Sequence, residues 1–379
     1  MLVRRLLEVA LILLPLVCWP NLEQPFSTPK LWLLAAVDLL VAVYWLRHGK
    51  ALGAPGWPWL AWLAALAASA VAAPYVSYEA LLLAALPIPL FWSPLPADRL
   101  GRALLYGSAI QSVIALLQYC RLDPLRLPGW SPEVFPNARM RVYGTLGNPD
   151  FVAAFLCTTL PLYAGVKSRT WLAAGLALQV AAILATGSRI SLFALPVAAG
   201  VLVWRGVRPR RWWLAGIPAA AVLLWLAPAR PLGVTLQGRF YLARVAAAHV
   251  TEMPLIGFGP GAFELQFAKW QAAWLSDPVN RERDARFAGP VDHAHNDYVE
   301  MAVDYGPVGL AAFLVLCGWL ITAAPKHRPP GAWAGLAALL AIACFDFPFH
   351  RPAEWALFWL LLSCGTDLRR GHRLCLQNG

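Results

Sequence analysis

Residues 171–204 read WLAAGLALQVAAILATGSRISLFALPVAAGVLVW, two apolar runs joined by a short polar turn in which Arg189 is the single charged side chain. Runs of this kind suit helices inside a bilayer. Lipid offers no partner to an unpaired backbone group, and a helix satisfies those groups within itself. Outward from this stretch the pattern recurs near Leu6–Trp19, Leu31–Leu46, Trp57–Ala73, Tyr78–Trp92, Leu100–Cys120, Asp150–Val166, Trp171–Ala185, Ile190–Trp204, Trp212–Ala227, Met301–Ala323, Ala332–Phe345 and Glu354–Cys364. The expected fold class is therefore all-α, a polytopic transmembrane helix bundle of about twelve spans. Several runs fall short of the ~20 residues a spanning helix prefers, which leaves room for re-entrant pairs. Pro15, Pro87, Pro89, Pro161 and Pro196 fall inside runs, where kinked helices are tolerated in a bundle.

Composition agrees: 59% of residues are hydrophobic, 13% are charged, mean hydropathy is +0.57 and there are 19 Trp, values outside the range of a soluble domain. A net charge of +11 would suggest nucleic acid in a soluble protein, but most Lys and Arg stand at the ends of apolar runs, so no nucleic-acid partner is expected. The seven Cys do not pair by spacing, and most lie within or beside apolar stretches, where a thiol behaves as a small hydrophobe. Neither a disulfide framework nor a zinc site is indicated.

Positive charge between spans gives the expected orientation, because Lys and Arg are retained on the cytoplasmic side. With the N-terminus inside, alternate segments carry Arg4 and Arg5, Arg47 and Lys50, Arg99 and Arg102, Lys167 and Arg169, Arg205 to Arg211, Lys326 and Arg328, and Arg369 to Arg373. Both termini are then expected to be cytoplasmic. The first run lacks a small-x-small cleavage site and is read as an uncleaved helix. Two hydrophilic segments fall outside: a short one over residues 121–148 and a long one over residues 228–300. The longer carries Arg230, Arg239, Arg244, Lys269, Arg281, Arg283 and Arg286, an outward basic surface that fits an anionic substrate.

Four groups of residues can carry chemistry. The densest is Asp292-His293-Ala294-His295-Asn296-Asp297-Tyr298-Val299-Glu300, just before a span. Imidazole has the unperturbed pKa nearest 7, so a His at a membrane-edge cavity suits proton removal from a hydroxyl nucleophile. A metal site using His293, His295 and Asp297, or a plain cap before the next helix, are the rival readings. In the turn Thr186-Gly187-Ser188-Arg189, an Arg at this depth is costly and faces a cavity, a ligand or the headgroups; its paired donors suit phosphate oxygens. The segment Gly238-Arg239-Phe240-Tyr241-Leu242-Ala243-Arg244 leads into Pro254-Leu255-Ile256-Gly257-Phe258-Gly259-Pro260-Gly261-Ala262-Phe263. That stretch has neither the Lys-Ser/Thr of a P-loop nor a strand before it, so it marks a tight loop. Lastly, Arg139-Met140-Arg141 precedes Gly144-Thr145-Leu146-Gly147-Asn148-Pro149-Asp150, where Asn148 and Pro149 read as a helix start.

The order of these motifs, Gly-Thr-Leu-Gly-Asn-Pro-Asp at 144–150, Thr-Gly-Ser-Arg at 186–189, Arg239, the glycine-rich stretch at 254–263 and His-Ala-His-Asn-Asp-Tyr-Val-Glu at 293–300, resembles that of the O-antigen ligase family. The resemblance runs over residues 140–354; the first five spans match only in hydropathy. It implies a cofactor-free, metal-independent, inverting glycosyltransferase in the bacterial inner membrane, with its active site facing the periplasm. Such an enzyme takes glycan from undecaprenyl diphosphate and passes it to lipid A-core. Carried over residue by residue, it makes His295 the base and Arg189 and Arg239 the clamps on the donor diphosphate. Arg139, Arg141, Arg244, His293, Asn296 and Asp297 become candidates for substrate contact. Membrane lipids are the remaining expected partners. A polymerase of the same superfamily, differing in its acceptor, stays open, as does a secondary transporter of an anionic solute. Protein-glycosylating members would carry a further C-terminal region, which the basic end at Arg369 to Arg373 argues against.

Overall fold

The computed structural model describes residues 2–48, 57–127, 137, 139–189, 193–207, 232–322 and 328–364, and among them no strand forms. The first helices are Leu2–Leu13 (α1), Thr28–His48 (α2), Trp57–Ala72 (α3), Tyr78–Ala85 (α4), Ala97–Tyr119 (α5), Pro149–Thr159 (α6), Arg169–Thr186 (α7) and Ala194–Trp204 (α8). They are followed by Leu232–Ala248 (α9), Phe263–Ser276 (α10), Pro278–Asp284 (α11), Asp297–Asp304 (α12), Gly306–Thr322 (α13), Pro330–Ile342 (α14) and Pro352–Ser363 (α15).

Of the expected spans, α2, α5 and α7 are long and apolar enough to cross a membrane, while α3, α8, α13 and α14 are shorter apolar helices. The expected span Trp212–Ala227 lies outside the described residues. Others are broken where the backbone loses a donor. The run Tyr78–Trp92 stops being α-helical at Ala85 and continues as a 3-10 turn over Ile88–Trp92, because Pro87 and Pro89 supply no N–H. The run Asp150–Val166 changes to a 3-10 turn at Leu160, next to Pro161. The run Met301–Ala323 divides at Gly306, whose φ of +72° ends α12 and starts α13. The expected outer loop is helical from Leu232 onward: α9, α10 and α12 share a small core built on Tyr241, Phe263, Phe267 and Trp270.

At the bundle centre is α15. Its residues from Pro352 to Leu362 are all buried, as expected of a helix that is apolar all round. Trp359 meets Trp59 of α3 edge-on at 5.2 Å, and Phe313 of α13 lies 5.9 Å from Phe358. The helix ends sort by charge. Arg328, before α14, donates to the carbonyls of Leu362 and Cys364 at the end of α15, and Arg205 at the end of α8 lies over Trp333. At the opposite end, Phe193 before α8 packs on Phe345 after α14, and Phe151 of α6 packs on Phe347. Arg205 and Arg328 thus share one end of the bundle. The polar motifs gather at the other.

The two glycine motifs hold this second end in place. Lys30, fully buried, donates to the carbonyls of Val17, Phe26 and Thr145, each at 2.7 Å, and so ties the Gly144–Gly147 turn to α2. The stretch Pro254–Phe263 wraps the end of α12: Asp304 accepts from the amides of Gly261 and Phe263, and Ser77 N donates to Pro260 O at 2.9 Å. Gly259, at φ +116°, passes so close to α4's approach that a Cβ there would lie 1.7 Å from Tyr75 O. Only glycine fits that position.

Candidate functional site

His295 stands at φ +49°, a left-handed conformation that costs a residue with a Cβ roughly 1–2 kcal/mol. Its neighbours hold it there. Asn296 caps α12 by accepting from the amides of Tyr298 and Val299 and also donates to Cys344 O. On the other side, Glu300 accepts from Ala294 N at 2.9 Å. Pinned on both flanks, the imidazole projects from the surface with 41% of its side chain exposed.

Its Nδ1 faces Asp346 Oδ1 at 3.6 Å, an electrostatic approach just beyond hydrogen-bond length. Asp346 is buried and is fixed from behind by Arg351, whose Nη1 donates to Oδ2 at 3.0 Å. Burial opposes the charge on Asp346, but Arg351, His295 and Arg239 outweigh it and hold the carboxyl well below the ordinary carboxylate range. Arg239 arrives from α9. Burial pushes its guanidinium down from the usual value, while the carboxylates of Asp346 and Asp150 work in the opposite direction.

Phe347 is the hub of the site. Its ring stacks on His293 at 4.1 Å and meets His295 edge-on at 5.1 Å, Phe151 at 5.4 Å and the Arg351 guanidinium at 5.3 Å. The starts of α6, α12 and α15 therefore converge here, and each brings the positive end of a helix dipole. Two buried guanidinium nitrogens, Nη1 of Arg239 and Nη2 of Arg351, make no hydrogen bond among the described residues. Donors of this kind are costly to bury unsatisfied and are matched by anionic oxygens.

A family model described as O-Antigen ligase matches residues 174–314, a stretch that contains Arg189, Arg239 and His295. Those residues belong to the O-antigen ligase family. Apolar helices together with that family make this a membrane protein, and the match supports a ligase- or polymerase-type glycosyltransferase, a class that works on lipid-linked glycan and lipid A-core. No individual characterised protein matches the chain at a significant level.

The O-antigen ligase motifs do not all meet at one point. Arg189 follows Gly187, the left-handed C-cap of α7, and leads to Phe193 against Phe345, next in sequence to Asp346. Arg139 and Arg141 form a single 3-10 turn that approaches α5, α6 and α7. Arg244, by contrast, pairs with Asp284 at 2.9 Å in a groove of its own. His293 and Asp297 turn inward. His293 Nδ1 is 2.7 Å from Glu300, and Asp297 accepts from His350 Nδ1 at 2.7 Å and from Phe349 N. Asn148 caps α6 as expected.

His293, Glu300 and His350 bring donor atoms within 4.8 Å of one another, close enough to hold a divalent ion. They are instead satisfied by each other. Burial works against charge on His350, but Glu300 and Asp297 prevail and raise its pKa to about 10, so it serves as a part-buried cation between two buried carboxylates. Burial likewise opposes charge on Glu300, and His350 and His293 bring its pKa below the usual value. Asp346, His350 and Arg351 were missed in the sequence because they sit in a brief connection between two apolar runs. Four ionisable residues, Asp346, His350, Arg351 and Glu354, within nine positions of such a run were the available signal.

Proposed function

We propose that this protein is an O-antigen ligase that transfers glycan from undecaprenyl diphosphate to a hydroxyl of lipid A-core at the periplasmic face of the inner membrane. The observation that carries this is the pairing of an exposed, conformationally fixed imidazole with a buried carboxylate, beside donors of Arg239 and Arg351 that make no hydrogen bond among the described residues. His295 Nδ1, turned to Asp346, leaves Nε2 to take the proton from the acceptor hydroxyl. The freed oxygen attacks the anomeric carbon and forms the new glycosidic bond. The bond from that carbon to the diphosphate breaks, and its electron pair leaves with the polyprenyl diphosphate, so the configuration inverts. Asp346 stabilises the imidazolium that results, as a carboxylate does in a hydrolase triad. Arg189 and Arg239 offset charge growing on the diphosphate, and Arg351 supports them through Asp346 and its own buried donor. The Lys and Arg at the Arg205 and Arg328 end support a cytoplasmic position for that end and a periplasmic one for the site.

The test is an incubation of purified protein with polyprenyl-diphosphate-linked glycan and lipid A-core. Glycan covalently joined to lipid A-core is the expected product. Lengthened lipid-linked chains would overturn ligation in favour of polymerisation, and solute flux in proteoliposomes without covalent product would overturn transfer altogether.

A further inference from the structure

About 640 Å³ of open groove lies along α9 against α11 and the turn after it, away from His295. One wall is apolar, with Ala243 and Ala247 beside Phe240, which is 61% exposed. The other wall is basic. Asp284, wholly buried at the end of α11, accepts from Arg244 at 2.9 Å, from Arg283 at 2.9 Å and from Trp274 Nε1 at 3.0 Å. One saturated carboxylate thus fixes two guanidiniums whose side chains stay 44% and 45% exposed. Arg286 adds a third, lying over the ring of Phe287 at 4.7 Å and donating to Gln237. Three cations against one carboxylate leave a net positive site with donors still facing solvent.

We propose that this groove binds the acceptor as an anionic saccharide, with phosphate or carboxylate groups on the arginines and sugar C–H faces against Phe240. The acceptor is the occupant because the donor's diphosphate already has Arg239 to bind it. Arg244 lies five positions further along the same helix, about 7.5 Å along the axis and some 140° around it. The proposal places a saccharide of several units around α9, with one hydroxyl at His295 and its anionic groups in the groove. The inference rests on the transfer reaction proposed above and assigns it an acceptor subsite.

The experiment uses full-length protein in detergent and a fluorescent, phosphorylated core oligosaccharide, with a phosphatase-treated copy as control. Binding does not require turnover, so its outcome is separate from that of the transfer assay. The expected result is binding that weakens about tenfold or more when either the phosphates are removed or Arg283 and Arg286 are both changed to Gln, with little added loss when the two are combined. Binding is read well below the melting temperature of the double variant, in which Arg244 and Trp274 still hold Asp284. Lys269→Gln, which removes one positive charge at an exposed position of α10, should bind normally. Unchanged binding by the double variant would overturn the proposal. So would displacement of the saccharide by phosphatidylglycerol vesicles at equal phosphate, which would make the groove a headgroup site.

Discussion

His295 Nδ1 lies 3.6 Å from Asp346 Oδ1, although α12, α13 and α14 separate the two residues along the chain. The carboxylate is buried and charged while the imidazole is exposed. That division suits a base that must meet a hydroxyl from outside yet keep one tautomer. Hydrogen bonds of this type are often long before substrate arrives.

Asp346→Asn should therefore lower kcat about a hundredfold while leaving His295 in place. It also takes the buried partner from Arg351, so a stability loss of about 3 kcal/mol is expected, read as a lower melting temperature in detergent. Activity measured well below that temperature separates the two effects.

Arg239→Gln should lower the transfer rate by about a hundredfold through loss of charge near the leaving diphosphate. Arg239→Lys should recover only part of this, because an ammonium lacks the planar fork that holds two phosphate oxygens. Steady-state kinetics with varied donor read both, and full activity in the Gln variant would remove Arg239 from the mechanism.

His350 ties stability to alkaline pH. Its folded pKa, raised to about 10, lies above the unfolded value of ~6.5, so its contribution is complete below ~6.5 and is lost as pH rises through about 10. Thermal unfolding across pH 6 to 10 should show a falling midpoint over that window. In His350→Gln the midpoint should be lower at neutral pH and the alkaline slope flatter.

Gly259→Ala would place a Cβ 1.7 Å from Tyr75 O in a backbone conformation that L residues rarely adopt. Destabilisation on the order of 3 kcal/mol is expected, visible as a lower melting temperature and poor recovery from membranes. A variant with wild-type melting would contradict the clamp described for this stretch.

Treatment with a chelator should leave both activity and melting temperature unchanged. His293, Glu300 and His350 are satisfied by each other, and a loss reversed by zinc would instead make the cluster a metal site.

Much of the bundle was legible because apolar runs end where helices end: Trp171–Ala185 became α7 with a capping Ser168 and Gly187, and Trp57–Ala73 became α3. Hydropathy does not report a lost backbone donor or a left-handed glycine. The breaks at Pro87 and Gly306 therefore passed inside continuous runs. His295 and Arg239 were readable as polar residues in a dense local cluster and a basic segment. Their partner Asp346 was not, because the two pack together only after α13 and α14 have folded back on each other. The glycine-rich stretch at 254–263, read as a tight loop, proved to be a clamp around Asp304, a role that depends on long-range packing.

The most direct test of the central claim is single-turnover transfer from polyprenyl-diphosphate-linked glycan to lipid A-core by wild type and His295→Ala, both folded by thermal melt, in buffer containing chelator. A loss of about a hundredfold or more in the variant, with the wild type fully active, is the predicted result. Wild-type rates in His295→Ala would contradict it.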